Sequence, residues 1–436
     1  MAKNKPQIRF QGHQDEWEEC KLEKLGTWKR GQALSKTDIC SHGKNPCIHY
    51  AELFAYKEII QQIKSRTDLP SIATSSGNDL LFPDSDVTPD GLGRCSALTE
   101  KGVILGGGIN ILELNEQYLA PYCSLNVVKN RKQIIEKVTG ATVRHIHSKD
   151  LDEVSIYTTT DKLEQKKIGE LFRTLDELIE AKEQELEKLR QIKLALLDGM
   201  FPSDEPEKLN RGGYNVLINN ALEMCNQLYI STSELNVPVI RFRGFTEPWK
   251  KVSLSENATF SKGRGYSKAD IKKIGTPILL YGSLYTNYNT SIEYVASYAD
   301  KKDGSIFSTG NEVVVPASGE TAEDIARASA IYAKGIILGG DLNIIYPNED
   351  IDPSFFALDI TYGRNHKLLV KKAQGTSVVH LHNTDIQELD LVMPDKNEQK
   401  KIGDFFSEQD ENIRSAQLQI NKLRNIKQAC MQKMFA

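Results

Sequence analysis

Two stretches of the chain repeat apolar residues at steps of mostly three and four, and each predicts a long helix with one apolar face. The first runs from Ile168 to Met200 and the second from Ile402 to Met434. A narrow apolar stripe on an otherwise charged helix is typical of a coiled coil. At 1.5 Å per residue, each helix is roughly 50 Å long. The apolar positions between those ends are Phe172, Leu175, Ile179, Leu186, Leu189, Ile192 and Leu196, and then Phe406, Ile413, Ala416, Ile420, Leu423, Ile426 and Cys430.

Both helices are predicted to begin with the same chemistry. The hexapeptide EQKKIG stands at residues 164–169 and again at 398–403, and an aspartate, Asp161 or Asp395, comes shortly before each copy. An aspartate N-cap followed by an acid in the first turn satisfies backbone amides that a helix start leaves free. Part of the repeated hexapeptide is therefore explained as helix initiation.

The hexapeptide belongs to a duplication that spans nearly the whole chain. The halves align at an offset of about 232 to 235 residues. This period is far too long for a solenoid, so we expect two copies of a globular domain that is followed by a helix. The matched segments include PQIRFQG with PVIRFRG, SKTDI with SKADI, SSGNDLLFP with STGNEVVVP, GVILGGGIN with GIILGGDLN, and HIH with HLH.

The apolar stripe of each helix needs a partner, because the other faces are densely charged. The simplest solution packs the two repeated helices against each other as a coiled coil. The alternative is that each helix packs only on its own globular domain.

The globular parts mix strand-like runs with helical runs and Gly/Asn-rich turns, which predicts an α+β fold. We predict a first recognition domain over 1–155, a first spacer helix over 156–201, a linker over 202–237, a second domain over 238–390 and a second spacer helix over 391–436. Within the linker, the segment YNVLINNALEMCNQLYI is compatible with a short helix and has no counterpart in the first half.

Composition adds that the chain is an ordinary globular protein. It has 436 residues, of which 39% are apolar and 26% charged, and this length predicts at least two domains. No run of apolar residues is long enough for a membrane span, and the start lacks a signal peptide, so we expect a cytoplasmic protein. The seven scattered cysteines argue against a disulfide framework.

Catalytic and metal-binding motifs are weak. The segment ILGGGIN lacks the spacing of a dinucleotide-binding loop, and Asp341 replaces a glycine in its second copy, so a strand and tight turn explain it better. The two His-x-His pairs lack an acidic or cysteine partner. A Cys-x-His pattern formed by Cys40, His42, Cys47 and His49 meets mostly apolar residues in the second copy, at Lys272, Ile274, Ile278 and Leu280.

A basic segment stands out because the net charge of the chain is −4. The stretch from Arg241 to Lys273 holds nine basic residues against three acidic ones. It contains SKGRGYSK and is followed by LLYGSLYTNYN, whose aromatic and amide side chains suit stacking on bases or reading their edges. The first half has a weaker counterpart, TWKRGQALSK followed by HYAELFAYK. The alternative explanation is a solvated surface patch.

These features together resemble the specificity (S) subunits of type I restriction-modification systems. The resemblance covers nearly the whole chain and rests on PVIRFRGFTEPW, SKGRGYSK, YGSLYTNY, GETAEDIARAS, GGDLN and HLHNTDIQELDLVMPDKNEQKKIGDFF. The first copy departs from this pattern, because Thr160 stands where the second copy has Pro394 and its basic loop is less basic.

The resemblance implies that each globular domain is a target-recognition domain that reads one half of a bipartite site in double-stranded DNA. The two spacer helices would pair antiparallel in a pseudo-twofold arrangement and separate the half-sites by about one turn of duplex. It further implies that this chain has no catalytic activity. Two modification (M) subunits would bind S-adenosylmethionine and methylate adenine, and restriction (R) subunits would use ATP and Mg.

On this basis we predict which residues of the chain contact DNA. The halves differ inside the recognition domains, so the two half-sites should differ in sequence. Candidate phosphate or groove contacts are Lys29, Arg30, Lys36, Lys262, Arg264 and Lys268, and the candidates for positions near the bases are Tyr285, Asn287 and Tyr288. We expect no catalytic, cofactor or metal site in the chain.

Two other functions remain open at this point. The chain could be the recognition module of a simpler methyltransferase system. It could also be a coiled-coil scaffold that never contacts DNA, although the basic loops count against this. An autonomous nuclease or methyltransferase has no motif to support it.

Overall fold

A computed structural model describes residues 5–201, 225–231, 236–286, 288–375 and 377–435. The chain divides into two units. The first comprises Met1–Glu183 with Gln419–Ala436, and the second comprises Gln184–Leu418. Each unit therefore holds one globular domain and parts of both long helices.

The globular part of the first unit is α+β. Its strands are β1 (Glu18–Lys21), β2 (Gly26–Arg30), β3 (Ile39–Cys40), β4 (Asn45–Ile48), β5 (Ser65–Thr67), β6 (Asp79–Pro83), β7 (Ser85–Asp86), β8 (Ser96–Leu98), β9 (Ile104–Leu105), β10 (Ile109–Leu114), β11 (Arg144–His145) and β12 (Ser155–Thr158). Its helices are α1 (Pro89–Leu92), α2 (Ala120–Lys129), α3 (Lys132–Ile135) and α4 (Ser148–Asp152), and the long helix α5 (Lys162–Met200) begins here. Short 3-10 turns cover Leu22–Lys24, Lys36–Asp38 and Tyr50–Phe54.

Two four-stranded sheets form the centre of this domain. One has the order β2-β10-β6-β8 and is antiparallel, and the other has the order β3-β5-β4-β9 and contains one parallel pair, β4 with β9. All residues of strand β6 are buried and all except Asp79 are apolar, which is the pattern of a strand covered on both faces. Smaller ladders pair β1 with β12 and β7 with β11.

The core of the first unit combines the domain with the two long helices. Trp17 packs edge-on against Tyr122, with ring centroids 5.6 Å apart, and Phe435 lies 6.0 Å from Phe172 of α5. The dipeptide Met-Phe stands at the end of each long helix, at Met200-Phe201 and Met434-Phe435. Met434 and Phe435 are buried in the core of the first unit and complete it.

The second unit repeats this architecture. Its strands are β13 (Leu228–Ile230), β14 (Ile240–Phe242), β15 (Lys250–Ser253), β16 (Ala258–Lys262), β17 (Thr276–Leu279), β18 (Ser291–Ile292), β19 (Tyr298–Ala299), β20 (Glu312–Pro316), β21 (Ser318–Gly319), β22 (Ser329–Ile331), β23 (Ile337–Leu338), β24 (Leu342–Pro347), β25 (Val379–His380) and β26 (Asp390–Met393). Its helices are α6 (Leu254–Asn257), α7 (Ser283–Thr286), α8 (Ala322–Ile325), α9 (Pro353–Tyr362), α10 (Arg364–Lys372) and α11 (Asn383–Gln387), with a 3-10 turn at Lys268–Asp270. The long helix α12 (Lys396–Lys433) follows.

The sheets of the second unit confirm that the sequence duplication is a structural one. The main sheet has the order β16-β24-β20-β22-β18, whose first four strands correspond to β2-β10-β6-β8 of the first unit. Phe201, at the end of α5, stacks on Phe355 at 5.5 Å and packs edge-on against Trp249 at 6.2 Å. The first Met-Phe pair thus completes the core of the second unit.

The long helices pair antiparallel within each unit. In the first unit, Asp176 and Glu183 of α5 bind Lys427 and Arg424 of α12, so the partners run in opposite directions. In the second unit, Lys193 of α5 binds Asp410 of α12. Parts of each helix also pack on globular cores, so the helix pair and the domain-packing alternative both occur. No helix within the described ranges has the length and apolar character needed to cross a membrane.

Some predicted boundaries and apolar contacts were wrong. Each long helix begins later than predicted, because Ser155–Thr158 and Asp390–Met393 are strands that pair with β1 and β15. Ile426 was placed in the apolar stripe but is 41% exposed, since the neighbouring Lys427 takes the inward position.

The described residues cover only part of the predicted linker over 202–237. Residues 202–224 and 232–235 lie outside the described residues. The final part of the segment proposed as a short helix is instead β13, which pairs antiparallel with β14.

Candidate nucleic-acid interface

In the second unit, a basic loop leaves the edge strand of the main sheet. Lys262 is the last residue of β16 and lies opposite Asn343 of β24. Gly263 follows, and a side chain there would overlap the carbonyl oxygen of Gly339. Gly263 of SKGRG and Gly339 of GGDLN are thus required because two turns cross at close range.

The rest of this loop is fixed by contacts with Lys302 and Ser305. Tyr266 is buried, and its hydroxyl hydrogen-bonds to Ser305 Oγ at 2.5 Å. Lys302 lies 4.6 Å from the Tyr266 ring centroid and binds Asp270 at 2.6 Å. Asp270 also accepts a hydrogen bond from the backbone of Ser267, which caps the 3-10 turn, and these contacts hold its pKa below the ordinary value. Lys262, Arg264 and Lys268 are left exposed and have no acidic partner among the described residues.

The first unit builds the same edge from different residues. Arg30 ends β2 and lies opposite Asn110 of β10. A side chain at Gly31 would overlap the carbonyl oxygen of Gly106, as at the second crossing. Ser35 caps the turn through Asp38, with a backbone hydrogen bond of 2.8 Å, and Lys36 is exposed. The matched SKTD and SKAD motifs are therefore capped turns that each display one lysine.

The two edges differ in detail, as the divergent sequences predicted. Lys29 forms an ion pair with Glu113 on the neighbouring strand, so its charge is partly neutralised. Gln32 stands where the second loop has Arg264, and its side-chain oxygen accepts hydrogen bonds from the backbone of Ile72 and Ala73 at 2.8 and 2.9 Å. The basic edge of the first unit is therefore weaker, and its loop is fixed to a different neighbour.

The aromatic segment agrees only partly with the prediction. Tyr285 on α7 is half-buried beside Tyr281, with ring centroids 6.2 Å apart, and burial raises its pKa. Asn287 lies outside the described residues. The prediction for Tyr288 needs correction, because its hydroxyl turns inward to Thr361 Oγ1 at 3.4 Å and burial raises its pKa to about 12. Tyr288 is held in the interior of the unit rather than displayed for base contacts.

The basic segment from Arg241 to Lys273 presents fewer free cations at the surface than its composition suggests. Arg241 is fully buried and binds Glu398 of EQKKIG through two hydrogen bonds of 2.9 and 2.6 Å. Lys251 pairs with Asp390 and Lys272 with Asp300. The exposed cations of this segment that have no ion pair among the described residues include Lys250, Lys273 and the three at the β16 end and in the loop that follows it.

The same arginine–glutamate contact exists in the first unit and explains the repeated hexapeptide. Arg9 binds both carboxylate oxygens of Glu164 at 2.7 Å. Asp161 caps the helix as predicted, accepting from the backbone of Leu163 and Glu164 at 2.9 and 3.2 Å. The acid in the first turn therefore serves tertiary packing rather than the cap. The IRF motif shared by the two halves could have indicated this buried arginine–glutamate contact. A count of charged residues could not, because it does not distinguish a buried arginine from an exposed one.

One group of His and acid side chains in the described ranges comes close enough for metal ligands. His13, Asp161 and Glu164 place one ligand atom each within 4.8 Å of one another. Arg9 already engages both oxygens of Glu164, and Lys167 Nζ lies 3.3 Å from His13 Nε2. Because the cations Arg9 and Lys167 already contact this group, we interpret it as an anchor for the start of α5.

The glycine-rich motif and the cysteine–histidine motif each have a plain structural description. Gly108 in the GGG turn has φ 82°, and Asp341 at the matching position has φ 56°, so the motif is a tight turn between two strands. Cys47 and His49 are buried while Cys40 and His42 are exposed, and these four are not among the side chains that converge within the described ranges. Burial raises the pKa of the Cys47 thiol to about 11.

Comparison with known proteins places this geometry in a family. A family model described as "Type I restriction modification DNA specificity domain" matches residues 14–191 and 246–425. The chain belongs to that family.

One solved structure of low sequence identity supports the same fold, and two more are less similar. The DNA specificity chain aligns with the type I restriction-modification S subunit from M. genitalium over 99% of both chains, at 16% identity and a TM-score of 0.61. A structure titled for complex assembly and conformational transition of the type I R-M system aligns at 12% identity and a TM-score of 0.48, covering 96% and 97% of the two chains. The HsdS subunit from Thermoanaerobacter tengcongensis aligns at 13% identity and a TM-score of 0.43, covering 96% of each chain. The curated proteins contain no significant match.

The role of this DNA specificity protein is DNA sequence recognition, and the basic edges are its best candidate surface. A cavity of about 600 Å³ in the second unit is less suited to DNA. It is lined partly by Glu408, Asp410 and Glu411 of α12. Carboxylates at such a position repel phosphates, so we do not place DNA there.

Proposed function

We propose that this specificity subunit reads an asymmetric, bipartite site in double-stranded DNA, with one half-site for each unit. It directs methylation of adenine and restriction by partner subunits. In this proposal the chain itself performs no catalysis. Two M subunits supply S-adenosylmethionine and the methyl transfer, and R subunits supply ATP hydrolysis, Mg and cleavage.

One observation carries the proposal: both units display cations from the same two places in the fold. Arg30 and Lys262 end the matched strands β2 and β16, and Lys36 and Lys268 follow the matched serine caps. Contacts to phosphate position a protein on DNA without reading sequence. Two matched basic edges therefore fit two stretches of one duplex.

The differences between the edges fit the reading of two different half-sites. The second unit has Arg264 and Tyr285 where the first has Gln32 and Phe54, and Lys29 of the first unit is paired with Glu113. Arg264 is exposed and can reach a base edge, whereas the side-chain amide of Gln32 is engaged by the backbone of its own unit. The proposal therefore predicts an asymmetric recognition sequence.

The proposal is tested by removing cations from one edge. In the double variant Lys262→Ala and Arg264→Ala, we expect weaker DNA binding and a salt dependence that is less steep by about 0.9 in the log–log slope for each phosphate that the loop no longer neutralises. Equilibrium binding by the full chain, co-purified with its M subunit, is measured between low and physiological salt. Lys132→Ala is the matched control, since this exposed lysine on α3 is paired with Glu136. Equal affinity and slope for variant and wild type at every salt concentration would remove the loop from the interface.

A further inference from the structure

The two His-x-His segments have a geometry that the basic edges do not explain. His145, His147, His380 and His382 are all exposed, whereas the residues between them, Ile146 and Leu381, are fully buried. Each segment therefore carries two exposed imidazoles around one anchored position, and the second of them, His147 or His382, belongs to the N-cap residue of α4 or α11. No acidic side chain forms an ion pair with any of the four within the described part of the chain.

Each segment ends a short hairpin that is built in the same way twice. Thr139 bridges to His145 in the first unit, and Gln374 bridges to His380 in the second. The turns contain Gly140 at φ 100° and Gly375 at φ 127°, conformations that other residues rarely adopt. The bridge and the glycine of each segment therefore recur at matched places in the two units.

Both hairpins are tied to the basic edge. The side-chain amide of Asn110 donates to the carbonyl oxygen of Ile146 at 3.0 Å, and Asn343 donates to Leu381 at 2.9 Å. These asparagines are the register partners of Arg30 and Lys262. In the second unit, Asn383 also donates to the carbonyl oxygen of Ser261 at 2.8 Å. The exposed histidines therefore stand beside cations that the proposed function places at the DNA.

The identity of the two segments indicates what kind of contact they make. The loops that differ between the units are suited to reading different bases, whereas HIH and HLH keep the same imidazoles. Contacts that do not depend on base sequence go to phosphate and sugar. An identical partner protein bound to each unit would also explain the identity, but the adjacent Arg30 and Lys262 favour a polyanion.

We propose that the His-x-His hairpins are a second phosphate-binding element, one in each unit, in which imidazole N–H groups donate to the DNA backbone. This inference rests on the proposed DNA-binding function and extends it to a named pair of side chains. It assigns the hairpins to affinity and positioning, and it assigns base discrimination to the divergent loops.

The test replaces the imidazoles in pairs within the full chain, co-purified with its M subunit. One variant carries His145→Gln and His147→Gln, and another carries His380→Gln and His382→Gln. The control is His42→Gln, an exposed histidine outside both hairpins. Binding to a duplex with the recognition site and to an unrelated duplex is measured, and the thermal unfolding midpoint checks the fold.

Each hairpin variant is expected to lose about three- to tenfold in affinity for both duplexes, with the methylated motif unchanged. A wild-type chain that binds neither duplex would contradict the proposed function itself. If the wild type binds and the variants bind equally well, the inference alone is wrong. Unchanged DNA affinity with loss of the co-purifying M subunit would make the hairpins a protein interface instead.

Discussion

At the residue scale, the repeated hexapeptide EQKKIG is preserved because most of its side chains have a tertiary partner. In the second copy the glutamate binds Arg241, and the side-chain amide of Gln399 spans the backbone of Asp352 and Pro394. Lys401 lies 4.8 Å from the ring centroid of Phe242, which is the phenylalanine of the IRF motif. The first copy repeats two of these contacts: Glu164 binds Arg9, and Lys167 lies over the ring of Phe10. The sequence predicted the helix start, but these long-range partners needed the structure.

The glycine that ends the hexapeptide gives a prediction with an unusual sign. A Cβ at Gly403 would lie 2.8 Å from Ser354 Cβ and 3.0 Å from Asp352 Oδ1 at the start of α9. Gly→Ala in an exposed helix stabilises by about 1 kcal/mol. Here we expect Gly403→Ala to lower the free energy of unfolding by about 1 to 3 kcal/mol, because the helices must move apart.

Denaturant unfolding measures this change, with Glu180→Ala at an exposed position of α5 as the control. Gly169→Ala should have a smaller effect, since its closest contact would be 3.0 Å from Pro121 Cβ. An increase in stability on Gly403→Ala would show that the close approach is not required.

A buried carboxyl in the second unit predicts a pH effect on stability. Burial raises the pKa of Asp359 to about 7, although a 2.5 Å hydrogen bond from Asn365 lowers it. Because the folded pKa lies above the unfolded value of about 3.9, the stabilising contribution is complete below that value and is lost as pH rises to about 7. Asn126 stands at the matching position of α2 in the first unit and carries no charge.

We therefore expect Asp359→Asn to be more stable than the wild type at pH 8 by about 2 to 4 kcal/mol, with the difference shrinking as pH falls to 4. Unfolding curves across this range, with the exposed Glu349→Gln as the control, measure the effect. Parallel pH profiles for variant and wild type would contradict the assignment of a raised pKa.

At the scale of elements, the long helices are matched by reciprocal ion pairs. Asp176 and Lys427 pair in the first unit, and Lys193 and Asp410, which are the equivalent residues with the helices exchanged, pair in the second. The apolar spacing predicted the helices and most of their buried positions. It could not show that a lysine at 427 would displace Ile426 from the interior, because apolar spacing alone does not identify a buried ion pair.

The first of these pairs is predicted to stabilise its unit strongly. Burial lowers the pKa of Lys427, but Glu58 and Asp176 more than offset this, so the net direction is upward. Burial likewise raises the pKa of Glu58, and Lys427 reverses that shift. Both groups are therefore charged in the folded protein, and the contribution of Glu58 is lost as pH falls through its lowered pKa.

We expect Lys427→Met to destabilise the first unit by about 3 to 5 kcal/mol at pH 7, because it removes the half-buried cation shared by Glu58 and Asp176 and leaves only the more exposed Lys57 near them. The loss should become smaller at acidic pH, where the carboxylates take up protons. Arg424→Met is the matched control, since its pair with Glu183 is exposed and contributes at most about 1 kcal/mol. Equal losses for the two variants in denaturant unfolding would show that Lys427 is not a buried partner.

At the scale of the whole molecule, the duplication predicted two α+β domains, and both units contain the same four-stranded core sheet. The sequence also located the basic edges, because Arg30, Lys36, Lys262 and Lys268 are all exposed at matched positions. It could not separate Arg241 or Tyr288 from surface residues, because burial depends on partners distant in sequence. The His-x-His pairs were dismissed as metal ligands, and their relation to the basic edge became visible only through Asn110 and Asn343.

The central claim is that this chain specifies which DNA sequence is modified. The most direct measurement is single-molecule sequencing of methyl-adenine in a host that expresses the M subunit, with and without this gene. We predict methylation at one asymmetric, bipartite motif that is present only when the chain is present. An unchanged methylome, with the M subunit shown to be expressed and active, would contradict the claim and favour a scaffold that does not read DNA.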